Sequence, residues 1–121
     1  MIYVVDDDEA IRSSLSMLAE ARGWEARTFS SAIEFLAEPV SGESRSACMV
    51  LDLNMPEMNG AELLAVLRAS GRHLATVILT AWPDSQLARR ALESGANRIL
   101  GKPLEPSTWL NAVEDSLSLT R

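Results

Sequence analysis

Four short apolar runs, each ending in polar or charged residues, constrain this chain more than any other feature. They are Ile2-Tyr3-Val4-Val5 before Asp6-Asp7, Ala47-Cys48-Met49-Val50-Leu51 before Asp52, Thr76-Val77-Ile78-Leu79 before Thr80, and Ile99-Leu100-Gly101 before Lys102-Pro103. Apolar runs of this length with little alternation read as strands buried on both faces, the habit of parallel sheets. Parallel neighbours need long crossovers, usually helical. If the four strands lie side by side, their C-terminal ends gather carboxylates, a hydroxyl and an ammonium at one edge. Open α/β sheets bind their ligands at that edge.

The segments between the runs supply the crossovers. A helix is predicted from Asp8 or Glu9 to Ala21, with Ile11, Leu15, Leu18 and Ala19 on one face and Gly23 at its end. Trp24–Phe29 reads as a second strand, and Ser30 or Ser31 caps a short helix over Ala32–Ala37. Glu38–Ser46, polar and carrying Pro39 and Gly42, reads as a loop. After Asp52, the loop Asn54–Gly60 leads to a helix over Ala61–Ala69, with Leu63, Leu64 and Leu67 inward and Gly71 closing it. Ala75–Leu79 is the fourth strand; Asp84 or Ser85 caps a helix reaching about Ser94, before Gly95. Arg98–Leu100 is the fifth strand. Pro106 suits a first helical turn, and Trp109, Leu110, Val113 and Leu117 form the last apolar stripe. Five β-α units with right-handed crossovers predict one α/β domain, a doubly wound five-stranded parallel sheet over residues 1–121. No further module is expected after Leu119.

The balance of 11 basic and 17 acidic residues, a net charge of -6, argues against direct nucleic-acid binding and against anionic membrane surfaces. No apolar run approaches the roughly 20 residues of a membrane span. The N-terminus lacks the basic start and apolar core of a signal peptide, so a cytoplasmic location is expected. Cys48 is the only cysteine. It excludes an internal disulfide and, inside an apolar strand, reads as a buried inert thiol.

At the predicted edge, Asp6, Asp7 and Asp52 are costly together unless a cation neutralises them. Oxygen ligands alone suit a hard divalent ion such as Mg2+, with Mn2+ as its substitute. A nearby Lys102 and Thr80 suit a phosphoryl group. Phosphoryl transfer to an aspartate is the chemistry these groups suggest. Asp8 and Glu9 read more simply, as favourable negative charge at a helix N-terminus.

The segments Val4-Val5-Asp6-Asp7-Asp8, Leu51-Asp52-Leu53-Asn54-Met55-Pro56-Glu57-Met58-Asn59-Gly60, Thr80-Ala81 and Lys102-Pro103, in this order and spacing, resemble the receiver domain of two-component response regulators. The flavour is that of receivers from transcription factors of the FixJ/NarL group, and the resemblance covers essentially the whole chain. It implies a flavodoxin-like (βα)5 fold with strand order 2-1-3-4-5. It also implies that Asp52 is the phospho-acceptor and that Asp7 ligates Mg2+ directly. Asp6 then acts through water or by orientation, and the Asn54 backbone carbonyl completes the protein ligands. Lys102 is implied to pair with phosphoryl oxygens before a cis bond to Pro103, and Thr80 to be the switch hydroxyl. The implied partners are a sensor histidine kinase or phosphotransfer protein in a phosphorelay, an output domain or partner protein, and a phosphorylation-linked homodimer.

Two positions depart from that pattern. Ile99 stands where the family carries a rotating aromatic three residues before the lysine, so a shift of the Thr80–Pro83 loop is left to transmit the signal. Trp82 is bulky for a place beside the acidic pocket; it reads as an exposed loop aromatic, a partner contact, or a lid against water. His73, the sole histidine, falls in a turn away from the acidic edge, so the phosphoryl group must come from outside the chain. Trp24, Trp109, Met55 and Met58 read as packing groups. An aspartyl-phosphate hydrolase is disfavoured, because Asn54 stands where such enzymes keep a general acid. The remaining alternative is a phosphorylation-independent pseudo-receiver acting as an interaction module, which Ile99 keeps open.

Overall fold

Continuous aliphatic sequence and continuous burial coincide at the centre of the sheet. Every residue of β3 (Cys48–Asp52) and β4 (Ala75–Thr80) is buried, whereas β2 (Ala26–Phe29) and β5 (Arg98–Gly101) are half exposed. This is the contrast expected between central and edge strands. With β1 (Ile2–Val5) they form one five-stranded sheet in the order β2-β1-β3-β4-β5, every pair parallel. The computed structural model describes residues 1–38 and 47–118. Most of the loop expected over Glu38–Ser46, and the chain from Leu119 on, lie outside the described residues.

Among the described residues, five helices cover the two faces: α1 (Glu9–Ala21), α2 (Ala32–Ala37), α3 (Gly60–Ala69), α4 (Gln86–Glu93) and α5 (Pro106–Ser118). One apolar cluster joins Val5, Met49, Leu51 and Ile78 to Phe35, Leu63, Leu67 and Ala88, so it lies under α2, α3 and α4. The other joins Ile2, Val4, Val50 and Leu79 to Leu15, Ala19, Trp109 and Val113, under α1 and α5. Strand residues of opposite parity serve opposite clusters, as the pleat requires.

Local chemistry chose the helix starts. Asp8 caps α1, Ser31 caps α2 and Ser85 caps α4 through side-chain oxygens, while Asn59 and Glu62 form a reciprocal capping box that begins α3 at Gly60. The expected second strand is shortened at its start. Gly23 takes φ +80, and the N–H groups of Gly23 and Trp24 return to the carbonyls of Glu20 and Ala19. These two bonds complete a Schellman cap, so Trp24 belongs to the end of α1 and β2 begins at Ala26. Trp24 is partly buried with the Arg22 guanidinium 5.1 Å from its ring centre, and Trp109 is fully buried, so both pack as expected.

Candidate functional site

Strand register sets the height of each functional group. Val5 lies opposite Leu51 and Asp52 opposite Leu79, so Asp6 and Asp52 leave the sheet side by side. Thr80 pairs with Gly101, which places Lys102 immediately above. Alternation then puts Asp6 and Asp52 on the same side as Val4 and Val50, and Lys102 follows Leu100 by two residues to the same side. The result is a cluster rather than a row. Lys102 Nζ lies 3.4 Å from Asp6 Oδ2 and 3.3 Å from Asp52 Oδ1. One oxygen from each of Asp6, Asp7 and Asp52 lies within 4.8 Å of the others. Asp6 and Asp52 are only 1% and 4% exposed, whereas Asp7 is exposed.

Burial and like charge make the cluster electrostatically tense. Burial pushes the Asp52 carboxyl from its ordinary 3.8 up to about 6, and the neighbouring Asp6 and Asp7 push the same way against the pull of Lys102. Asp6 is also raised, chiefly by burial, although the Asp8 N–H and Lys102 oppose it. Burial draws Lys102 downward, but the two carboxylates outweigh it and hold the ammonium above its ordinary range. One ammonium therefore faces three carboxyl groups. A donor set of oxygens, underneutralised and convergent, fits a hard divalent cation.

The turn after β1 is fastened at several points. The Asp8 N–H donates to Asp6 Oδ1 at 2.9 Å, Asp8 Oδ1 caps α1 by accepting from Ala10 and Ile11, and Arg12 Nη1 donates to the Asp6 backbone carbonyl at 2.7 Å. Across the cavity, Thr80 Oγ1 donates to Asn54 Oδ1 at 2.8 Å and accepts from the Trp82 N–H at 3.1 Å. Asn54 in turn donates its N–H to Asp52 Oδ1 at 3.4 Å. A cavity of about 290 Å³ opens over these groups, lined by Asp7, Asp8, Asp52, Asn54, Ala81, Trp82 and Lys102.

The backbone beneath is shaped by two residues of the β3–α3 loop. A Cβ on Gly60 would sit 2.8 Å from the Asp52 carbonyl oxygen and 3.1 Å from Leu53 Cα, so only glycine lets α3 start against the strand end. Glu57, at φ 67, occupies the centre of a three-residue turn closed by the Met58 N–H and the Pro56 carbonyl at 2.8 Å. The peptide between Lys102 and Pro103 is cis, as the resemblance implied.

Known proteins place this geometry. The response regulator receiver domain model matches residues 2–114. This chain belongs to the response regulator receiver domain family. Among relatives, FixJ of Azorhizobium caulinodans, a transcriptional regulatory protein, is 38% identical over 116 residues, covering 96% of this chain and 54% of FixJ. The crystal structure of FixJ-N superposes with a TM-score of 0.83 at 29% identity, covering 97% of this chain and 92% of that one. The response regulator StyR gives a TM-score of 0.89 at 37% identity, covering 98% of this chain and 59% of that one. The receiver domain spans about half the length of the curated relatives it matches. Membership of the FixJ group and the 2-1-3-4-5 fold thus agree with the sequence reading.

Of the expected site residues, the receiver fold brings together Asp6, Asp7, Asp52, Asn54, Thr80, Trp82 and Lys102. Ile99 stands apart: it is half-buried, lies opposite Ile78 and packs into the core beneath α4. His73 is exposed in the turn after α3, and Cys48 is fully buried with its thiol pushed up to about 12 by burial. Met55 is buried and Met58 half-buried against the same core. Two contributions escaped the sequence: the Asn54 side chain as acceptor for Thr80, and Arg12 as donor to Asp6. A basic residue one turn into the helix after an acidic strand end was the available signal for Arg12. Among the described residues, no helix is long and apolar enough to cross a membrane.

Proposed function

We propose that this receiver domain accepts a phosphoryl group on Asp52 from the phosphohistidine of a sensor histidine kinase or phosphotransfer protein. The observation that carries this reading is the convergence of Asp6, Asp7 and Asp52 with Lys102 at the open edge of the sheet. Asp6, Asp7, Asp52 and the Asn54 carbonyl would hold Mg2+ or Mn2+. Bound there, the ion supplies positive charge against the oxygens of the transferring group.

Above a pH of about 6 Asp52 is a carboxylate, and one of its oxygens attacks phosphorus. The new P–O bond forms as the donor's P–N bond breaks, and the electron pair leaves with the donor imidazole. Lys102 turns from its two carboxylates toward the phosphoryl oxygens. Thr80 exchanges one acceptor for another: its hydroxyl leaves Asn54 Oδ1 for a phosphoryl oxygen, and the Trp82 N–H bonded to it moves too. That exchange gives the Thr80–Pro83 loop a route of response although Ile99 has no polar tip to swing. Trp82, 63% exposed at the cavity mouth, screens the acyl phosphate from water. The domain thereby shifts between two surface states rather than turning over a substrate. An output domain or a second phosphorylated copy is the reading for what those states engage.

Intact-mass measurement after treatment with acetyl phosphate and Mg2+ tests this. One alkali-labile phosphoryl group per chain is expected, absent in Asp52→Ala and in excess chelator. An adduct that survives either condition rules the proposal out.

A further inference from the structure

Asp7 is the exposed member of the acidic cluster, and both peptide planes flanking it are held in place. On its C-terminal side the Asp8 N–H is held by Asp6 Oδ1 at 2.9 Å. On its N-terminal side the Asp6 carbonyl belongs to a residue only 1% exposed, where the chain turns out of the sheet. A buried carbonyl needs a partner. Arg12, half-buried and one turn into α1, reaches back to supply it from Nη1 at 2.7 Å. Holding that carbonyl fixes the plane of the Asp6–Asp7 peptide, and with it the direction in which the Asp7 Cβ leaves the backbone.

We propose that Arg12 is a positioning residue for the cation site, aiming the Asp7 carboxylate by pinning the Asp6 carbonyl. The proposal rests on the reading of Asp6, Asp7 and Asp52 as a Mg2+ site. Its action is indirect, because the guanidinium touches backbone and not a ligand oxygen. Charge and position predict opposite signs here. Removing a positive charge beside an acidic cluster, on Coulomb grounds alone, tightens cation binding. Losing a partner that orients a ligand weakens it, typically by 10- to 100-fold.

Arg12→Met keeps the apolar stem and helix propensity and removes the donor. Calorimetric titration with Mg2+ should give a dissociation constant about tenfold higher than wild type, despite the lost charge. Phosphorylation by acetyl phosphate should be slow at limiting Mg2+ and recover toward wild type at saturating Mg2+, a split that general loosening of the fold would not produce. Tighter or unchanged Mg2+ binding overturns the proposal. Arg12→Gln, another good helix former too short to reach the carbonyl, is judged by the same criterion should Arg12→Met fail to fold. In the wild type, a slowly exchanging Arg12 guanidinium resonance is expected in NMR spectra without any substitution, and its absence also overturns the assignment. A wild-type domain that takes up no Mg2+ at all defeats the metal-site reading instead, so the two failures are distinguishable.

Discussion

Asp52→Asn should stabilise the metal-free domain, although it removes the central group of the site. The rise of Asp52 from 3.8 to about 6 means that the folded state binds its proton more tightly than the unfolded chain does. For an acid shifted upward, stability is therefore highest below about pH 4, falls as pH rises through the window from 3.8 to about 6, and stays reduced above it. The full reduction is about 3 kcal/mol at pH 7.5, and about half of it is present at pH 5. Asparagine has no charge to desolvate and leaves Lys102 paired with Asp6 Oδ2 at 3.4 Å. Because Asp52 shares part of its penalty with Asp6, a gain of about 1–3 kcal/mol at pH 7.5 is expected, or roughly 4 °C in melting temperature per kcal/mol. Urea unfolding in excess chelator, run on both proteins at pH 5 and pH 7.5, measures it. The advantage of Asp52→Asn should shrink by about half at the lower pH. A substituted protein no more stable than wild type at pH 7.5, or an advantage that does not change with pH, would refute the electrostatic reasoning.

Other expectations follow from the same geometry. Millimolar Mg2+ should raise the wild-type melting temperature, by the equivalent of about 2.7 kcal/mol at a hundredfold excess over the dissociation constant. Asp7→Asn should lose most of that rise, and a full response in it would remove Asp7 from the site. Trp82→Ala should shed phosphate from Asp52 faster than wild type by time-resolved intact mass. Equal rates end the screening role, and wild-type amide shifts absent from residues 80–83 on phosphorylation end the role of the loop. Gly60→Ala should lower stability by about 1–3 kcal/mol in denaturant unfolding, overpacking against Asp52 and Leu53 outweighing the better helix propensity of alanine. A neutral or stabilising result would show that α3 can move off the strand end.

Local pattern carried a large share of the architecture. Apolar runs marked β3 and β4, which are buried throughout, and capping serines marked the starts of α2 and α4 within a residue. These signals are legible because strand burial and helix capping depend on residues only a few positions apart. The edge strands were harder: β2 is short and half exposed, and its expected beginning at Trp24 yielded to the helix cap on Gly23, a competition between two local motifs that only geometry resolves.

By itself the sequence determined that carboxylates, a hydroxyl and a lysine follow successive apolar strands, and therefore that they end at one edge of a parallel sheet. It left undecided which of them meet. Lys102 reaches Asp6 across 96 residues and Asp52 across 50, and Thr80 reaches Asn54 across 26. Those contacts follow from strand order, register and the side to which each residue points, quantities set by pairing between distant strands. The same holds for Arg12: its place one turn into α1 was legible, but its partner, a backbone carbonyl, was not. The tertiary structure alone decided that the Thr80 hydroxyl is bonded to the Asn54 side chain, because only the packed sheet brings β4 and the β3–α3 loop within 2.8 Å.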